Sequence, residues 1–340
     1  MSLRGLPPAL GLLVLAPLCA EYLSGYDTST GNPAELLGGL FVFVPLYGAA
    51  ALLIREAARR AGRGWPTMIL LAAAFGVLQP GLIDQAMFNP SYRDIDFLGP
   101  MLTPTYIPQL GLGAYLSLHW IAGHVIFSIC APIAIVESFV RPERRTTPWL
   151  GWFGTLVTAA AFAGAALFVV QWHLETEDFV PSTGQLAGAG AVVLALIAAA
   201  FAVRPGARAD RRPAPRPWLV GVVTFVIMMI SPVLEWTTSL VDWTGFAVYA
   251  GRLAVLAAVL AMWSRRADWS QSHRLAAAGA ALLTSAVGAF VTEPLGDVSP
   301  AAKLGHNIAF AFGLAVLIVL ARILLARKKA PCLPPPTRPS

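Results

Sequence analysis

Ten stretches of this sequence are long and apolar enough to cross a lipid bilayer as helices, which restricts the fold more than any other feature. A spanning helix needs about 20 mostly apolar residues, because hydrocarbon offers no partner for backbone polar groups. The chain is 57% hydrophobic and 12% charged, whereas a soluble domain carries about 25% charged residues. We predict an all-α polytopic membrane protein with spans at residues 5–22, 35–54, 66–83, 115–137, 149–170, 184–203, 217–235, 244–263, 275–292 and 302–325.

Composition and motifs exclude several classes of function. The three cysteines have no pairing pattern, which argues against a disulfide framework or a cysteine-ligated zinc site. The pI is about 9.5, but the basic residues follow membrane topology, so we predict no nucleic-acid partner. No Walker A motif, dinucleotide-binding loop or GxSxG motif is present. We therefore predict no cofactor and no metal.

The basic residues fall on alternate inter-helical segments. One side of the predicted membrane receives nearly all of them, and the other receives Arg93 and Lys303. Loops rich in lysine and arginine stay in the cytoplasm. We predict a multi-pass protein of the cell membrane with both termini in the cytoplasm.

A pattern of features recurs between predicted helices 1–4 and 7–10. Glu21 corresponds to Glu235, Asp84 to Asp297, and His124 to His306. Because the shift is six helices, both copies run the same way, as in a parallel 4+2+4 repeat. The predicted units are residues 1–148 (first repeat), 149–203 (two linking helices), 204–217 (an extended, unpacked cytoplasmic linker rich in arginine and proline), 218–329 (second repeat) and 330–340 (a disordered tail).

Ionisable groups are costly inside a bilayer, so those near helix ends and interiors are functional candidates. A parallel repeat would gather them around one outward-facing cavity. The candidate catalytic residues are Glu21, Asp84, His124, Glu235, Glu293 and His306. A neutral histidine hydrogen-bonded between helices is an equal interpretation of His124, and plain interfacial loops are the favoured interpretation of Asp242 and Asp297.

A second group of residues is predicted to bind the substrate: His119, Trp120, Trp236, Asp242, Trp243 and Arg252. His119 and His124 are five residues apart, about 140° around a helix, so they cannot form an i, i+4 zinc pair. Arg252 is deep in a span and predicts a carboxylate partner, from Glu21, Glu235, Asp242 or Glu293.

Two other segments are predicted to lie at the membrane surface. The aromatic loop at residues 84–114 is too long for a simple connection, and we predict a cap at the outer interface. The segment from Arg55 to Arg60 is predicted to rest on anionic headgroups.

The arrangement favours an intramembrane enzyme that works by acid–base chemistry on a lipophilic, isoprenoid-type substrate, such as a membrane-bound terpene cyclase. An acid would protonate the apolar substrate, and tryptophan rings would stabilise the positive charge. The alternatives are a proton-coupled small-molecule transporter and an accessory membrane subunit. The expected partners are the lipid bilayer and a lipophilic small molecule.

Overall fold

The computed structural model describes residues 5–203 and 210–327 and contains the ten predicted helices. They are α1 (Leu6–Tyr22), α2 (Pro33–Arg60), α3 (Trp65–Ile83), α4 (Ala114–Phe139), α5 (Trp152–Thr176), α6 (Thr183–Ala202), α7 (Pro217–Thr238), α8 (Trp243–Ser264), α9 (Gln271–Gly288) and α10 (Pro300–Arg327). In the described part of the chain, eight are long and apolar enough to span a membrane. The exceptions are α1, which is short, and α9, whose first turn is polar.

Some helix ends differ from the prediction because tertiary contacts stabilise polar turns. Helix α9 begins at Gln271, four residues earlier than predicted, since Ser270 and His273 form a capping box. Helix α2 extends to Arg60 because its last turn is paired inside the protein.

Helix α4 is the centre of the bundle and packs against α1, α2, α3, α8, α9 and α10. Helix α3 is also central, with 67% of its apolar window buried, against 17% for α5, α6 and α10. Large apolar side chains on these outer helices are exposed, for example Phe153 and Phe312. Such helices are suited to contact lipid.

Glycine allows the closest helix contacts in the core. A Cβ at Gly48 of α2 would lie 2.2 Å from the carbonyl oxygen of Leu13, and one at Gly76 of α3 would lie 2.9 Å from that of Ile121. Helices in membranes associate through such small residues, which let backbones approach.

A buried ion network closes the end of the bundle where α2 and α4 finish, here called the basic end. Glu137 of α4 accepts hydrogen bonds from Arg55 Nε at 3.1 Å and from Arg59 Nη2 at 2.9 Å. Arg55 also bonds Glu56 and lies over the Trp149 ring, 3.4 Å from its centroid. Because Arg55, Glu56 and Glu137 are 0% exposed, the prediction that this segment rests on lipid headgroups is wrong.

The linker stays a prediction, and residues 204–209 and 330–340 lie outside the described residues. Residues 210–216 pack against the connection between α8 and α9. Arg266 donates to the Pro213 carbonyl at 3.0 Å, and the Ala214 amide donates to Asp268.

The internal repeat stays a prediction. Helix α1 packs on α2 and α4, whereas α7 packs on α8 and α9. In both proposed copies the first helix packs on the second. Its other neighbour is the fourth helix in the first copy and the third helix in the second copy.

The segment between α3 and α4 forms a folded cap. It contains two 3-10 turns, a short helix at Leu98–Leu102, and a hairpin of β1 (Tyr106–Ile107) and β2 (Leu112–Gly113). Leu98 and Leu102 pack against Leu116 of α4.

Candidate functional site

Each of the first four helices contains a π segment, a wider turn that is often found at functional sites. These segments are Leu18–Tyr22, Val44–Gly48, Gln79–Ile83 and His124–Cys130. A proline lies in or within two residues of each one: Pro17, Pro45, Pro80 and Pro132. Proline lacks an amide hydrogen and clashes with the preceding turn, and π turns accommodate such interruptions.

The π segment of α1 presents Glu21, which is 8% exposed. Its Oε2 accepts a hydrogen bond from Tyr26 Oη at 3.0 Å, and Tyr47 of α2 is close enough to interact with it. The Glu21 charge and burial raise the pKa of Tyr26 well above its usual value of 10. Tyr26 therefore remains a hydrogen-bond donor to this carboxylate.

The π segment of α3 ends at Asp84, a second carboxyl group in the same cluster. Asp84 accepts hydrogen bonds from Gln79 Nε2 at 3.3 Å and from the Ala86 amide at 3.2 Å. Burial, together with the charge of Glu21, raises the pKa of Asp84 from 3.8 to about 7, against the opposing effect of these hydrogen bonds. Asp84 can therefore both give and accept a proton near neutral pH.

The cap covers these carboxyl groups. Arg93 Nη2 lies 3.5 Å from Asp27 Oδ1, and the Arg93 amide donates to Glu177, just after α5, at 3.1 Å. Gln85, Arg93 and Asp94 have positive φ values of 58°, 53° and 50°. Such strained residues concentrate at binding and switch regions and persist when surrounding contacts hold them.

His124 joins the cluster through an aromatic contact. Its ring stacks on Tyr47 at a centroid distance of 5.8 Å, and its Nδ1 lies 3.2 Å from Ser128 Oγ. Because Tyr47 also interacts with Glu21, the three side chains belong to one group.

His306 of α10 touches the same region through backbone groups. Its Nε2 lies 2.8 Å from the Tyr22 carbonyl oxygen, and its Nδ1 accepts from the Gly31 amide at 3.3 Å. Both ring nitrogens are thus used to hold the connection between α1 and α2. This geometry makes His306 a positioning residue for Glu21.

A second polar cluster forms where α4, α7 and α8 meet. The Tyr115 hydroxyl donates a short hydrogen bond to Glu235. The Tyr249 ring lies 5.8 Å from the Tyr115 ring and 5.5 Å from His119. His119 and His124 therefore lie in different clusters, as their separation of about 140° around the helix predicts.

The predicted ion pair of Arg252 is absent. Among the described residues no carboxylate oxygen lies within 4.0 Å of its guanidinium. Instead, Nη1 donates to the Met228 carbonyl at 3.0 Å, and the guanidinium lies 4.1 Å from the centroid of Tyr249. A backbone carbonyl and an aromatic face contact this buried cation in place of the predicted carboxylate, and its Nε has no hydrogen-bond partner among the described residues.

The remaining candidate residues lie nearer the surface. The Glu293 side chain is 93% exposed, 3.9 Å from Lys303, and Asp297 is exposed. Asp242 caps α8 by accepting from the Thr244 and Gly245 amides. Trp236 and Trp243 are 44% and 52% exposed, whereas Trp120 packs partly buried beneath the cap.

The structure does not gather the candidates around one cavity. It unites Glu21, Asp84 and His124 in one cluster, and Glu235, His119 and Arg252 in another. Within the described ranges, no group of three or more His, Cys, Asp or Glu side chains is arranged to hold a metal ion.

Sequence reasoning missed the tyrosines that complete both clusters: Tyr26, Tyr47, Tyr92, Tyr115 and Tyr249. The signal that would have found the first cluster is the proline in each of the first four helices.

Comparison with known proteins places the chain at the level of a family. The sequence model of a family described as an "Uncharacterized membrane protein family" matches residues 10–329. Neither the curated proteins nor the solved structures give a match.

Proposed function

For this chain, which belongs to that membrane protein family, we propose acid–base catalysis on a lipophilic substrate at the Glu21–Asp84 cluster. The observation that carries this proposal is that two interacting carboxyl groups lie beside a folded cap, the buried Glu21 in the π segment of α1 and the half-buried Asp84 directly after that of α3. Each carboxyl has its own hydrogen-bond donors. Such pairs divide the roles of acid and base between them.

The protonated Asp84 gives its proton to a carbon–carbon double bond of the substrate. The resulting carbocation lies against tyrosine ring faces, which attract positive charge. The Glu21 carboxylate then removes a proton, so the product is an isomer of the substrate. Cyclisation of an isoprenoid is the specific version of this chemistry, and it uses no cofactor.

The surroundings of the cluster support an enzyme more than a transporter. Below it, towards the basic end, Leu12, Leu46 and Ile129 are 0–1% exposed and form a continuous apolar core. The basic end itself is closed by the Arg55–Glu137 network. A transporter would need a path through these layers, whereas an enzyme benefits because water is kept from the carbocation.

We also propose that the basic end faces the cytoplasm of the cell and the cap faces outside. The basis is the excess of arginine at the ends of α2 and α4, which follows the positive-inside tendency. A reporter enzyme that is active only outside the cell, fused after residue 327, should be inactive. Activity of that fusion would reverse the orientation.

The test of function is mass spectrometry of the apolar extract of cells that express the protein. We expect an isoprenoid-like product with the wild type and with the control Glu293→Gln, whose side chain is exposed. Glu21→Gln and Asp84→Asn should lose it. Glu235→Gln should keep it, since Glu235 lies in the other cluster.

Absence of the product from all five extracts, with each protein stably inserted, would refute the enzyme, and its presence in all five would refute the Glu21–Asp84 site. Proton flux into proteoliposomes that depends on Asp84 would then favour the proton-coupled transporter. Absence of flux as well would favour an accessory subunit.

A further inference from the structure

A groove between α1, α4 and α10 begins at the basic end and follows α1 as far as Leu18. Its volume is about 1020 Å³. Pro7, Gly11, Val14 and Leu18 of α1 form one wall. Phe139 of α4 and Leu317 of α10 also line the groove.

The groove has the length of one membrane leaflet. From Pro7 to Leu18 the helix rises about 16 Å, at 1.5 Å per residue. Half of a bilayer's hydrocarbon core is about 15 Å. One acyl chain of a lipid in that leaflet therefore matches the apolar wall.

Charge is confined to the end of the groove nearest the start of α1. Arg141, Glu143 and Arg144 form this rim, so the rim carries one net positive charge. Arg141 is exposed, and Arg144 Nη2 lies 3.2 Å from the Cβ position of Gly5. Because guanidinium groups bind phosphate oxygens in a bidentate manner, this rim is suited to a lipid phosphate.

From this layout we propose that the α1–α4–α10 groove is a binding site for one anionic phospholipid. Its phosphate binds Arg141 and Arg144, and one acyl chain lies along α1. The acyl wall without the rim would accept any lipid, and the rim without the wall would accept any phosphate. Because the apolar wall and the charged rim are continuous, the groove is suited to a lipid that carries a phosphate.

The chain offers matched variants to test this site. A side chain at Gly11 would enter the open groove, since nothing lies within 4 Å of its Cβ position, so Gly11→Phe should block it. Gly164 is equally open on the outer helix α5, which makes Gly164→Phe the control. Val14→Trp is a second blocking variant from the same wall.

The measurement is native mass spectrometry of the purified full-length protein titrated with phosphatidylglycerol, or with diacylglycerol of the same chains. We expect the wild type and Gly164→Phe to retain one phosphatidylglycerol and to bind diacylglycerol more weakly. Gly11→Phe and Val14→Trp should lose the bound lipid. Arg141→Ala combined with Arg144→Ala should weaken phosphatidylglycerol binding about fivefold per arginine and leave diacylglycerol binding unchanged.

Two results would overturn the proposal. Retention of phosphatidylglycerol by both blocking variants, with wild-type melting temperatures, would show that lipid binds elsewhere. Equal binding of the two lipids by the wild type would show that the rim does not recognise phosphate.

Discussion

Asp84 should make the stability of the protein fall as the pH rises towards neutrality. Its folded-state pKa is raised from 3.8 to about 7, so the folded protein favours the protonated form. A raised pKa contributes stability that is fully present below the unfolded value and is lost as the pH passes through the folded value. The affected window therefore runs from about pH 4 to about pH 7.

The size of the effect follows from the two pKa values. Each pKa unit corresponds to about 1.4 kcal/mol, so between about pH 5 and about pH 8 the free energy of unfolding should drop by about 2–3 kcal/mol. Asp84→Asn carries a permanently neutral group of similar shape. This variant should remove that share of the pH dependence and should be more stable than the wild type at the higher pH.

The assay is equilibrium unfolding of the detergent-solubilised protein over this pH range. Asp96→Asn is the matched control, because Asp96 is an exposed acid of the same cap. It should keep the wild-type pH dependence. If Asp84→Asn keeps it as well, Asp84 is ionised throughout the range and the proposed proton donor is wrong.

Other contacts lead to three further predictions. Glu137→Gln should destabilise the fold by about 3–5 kcal/mol in the same unfolding assay, because it leaves buried guanidinium groups without their carboxylate. The control Glu143→Gln, at the exposed rim, should change the free energy of unfolding by less than about 0.5 kcal/mol. Equal effects of the two variants would contradict a buried network. Tyr115→Phe should lower the free energy of unfolding by about 1–3 kcal/mol, since it leaves the Glu235 carboxylate of α7 without its donor. The control Tyr106→Phe, on the exposed hairpin, should leave the free energy of unfolding unchanged. Equal melting temperatures for the two variants would contradict the Tyr115–Glu235 hydrogen bond. His306→Ala should speed hydrogen exchange at residues 23–32, which it holds through two backbone bonds, and unchanged exchange there would contradict its positioning role.

The sequence was sufficient for the eight helices that are long and apolar enough to span, because the signal is local. Each span must be apolar over its own length, whatever it packs against. The polar contacts were harder to predict, because partners such as Arg55 and Glu137 are 82 residues apart. Their pairing depends on how α2 and α4 cross. For the same reason, the segment expected on the membrane surface is one of the most buried in the protein.

The sequence by itself determined that this is a multi-pass helical membrane protein with costly ionisable groups near its helix ends. Tertiary structure decided which of those groups meet. Glu21 lies in the π segment of α1, Asp84 directly follows that of α3, and the two groups are close enough for their charges to interact. Glu293, of the same residue type as Glu21, is exposed on a loop. Hydropathy is a property of each segment, whereas a site needs side chains from several helices to converge, and that depends on packing.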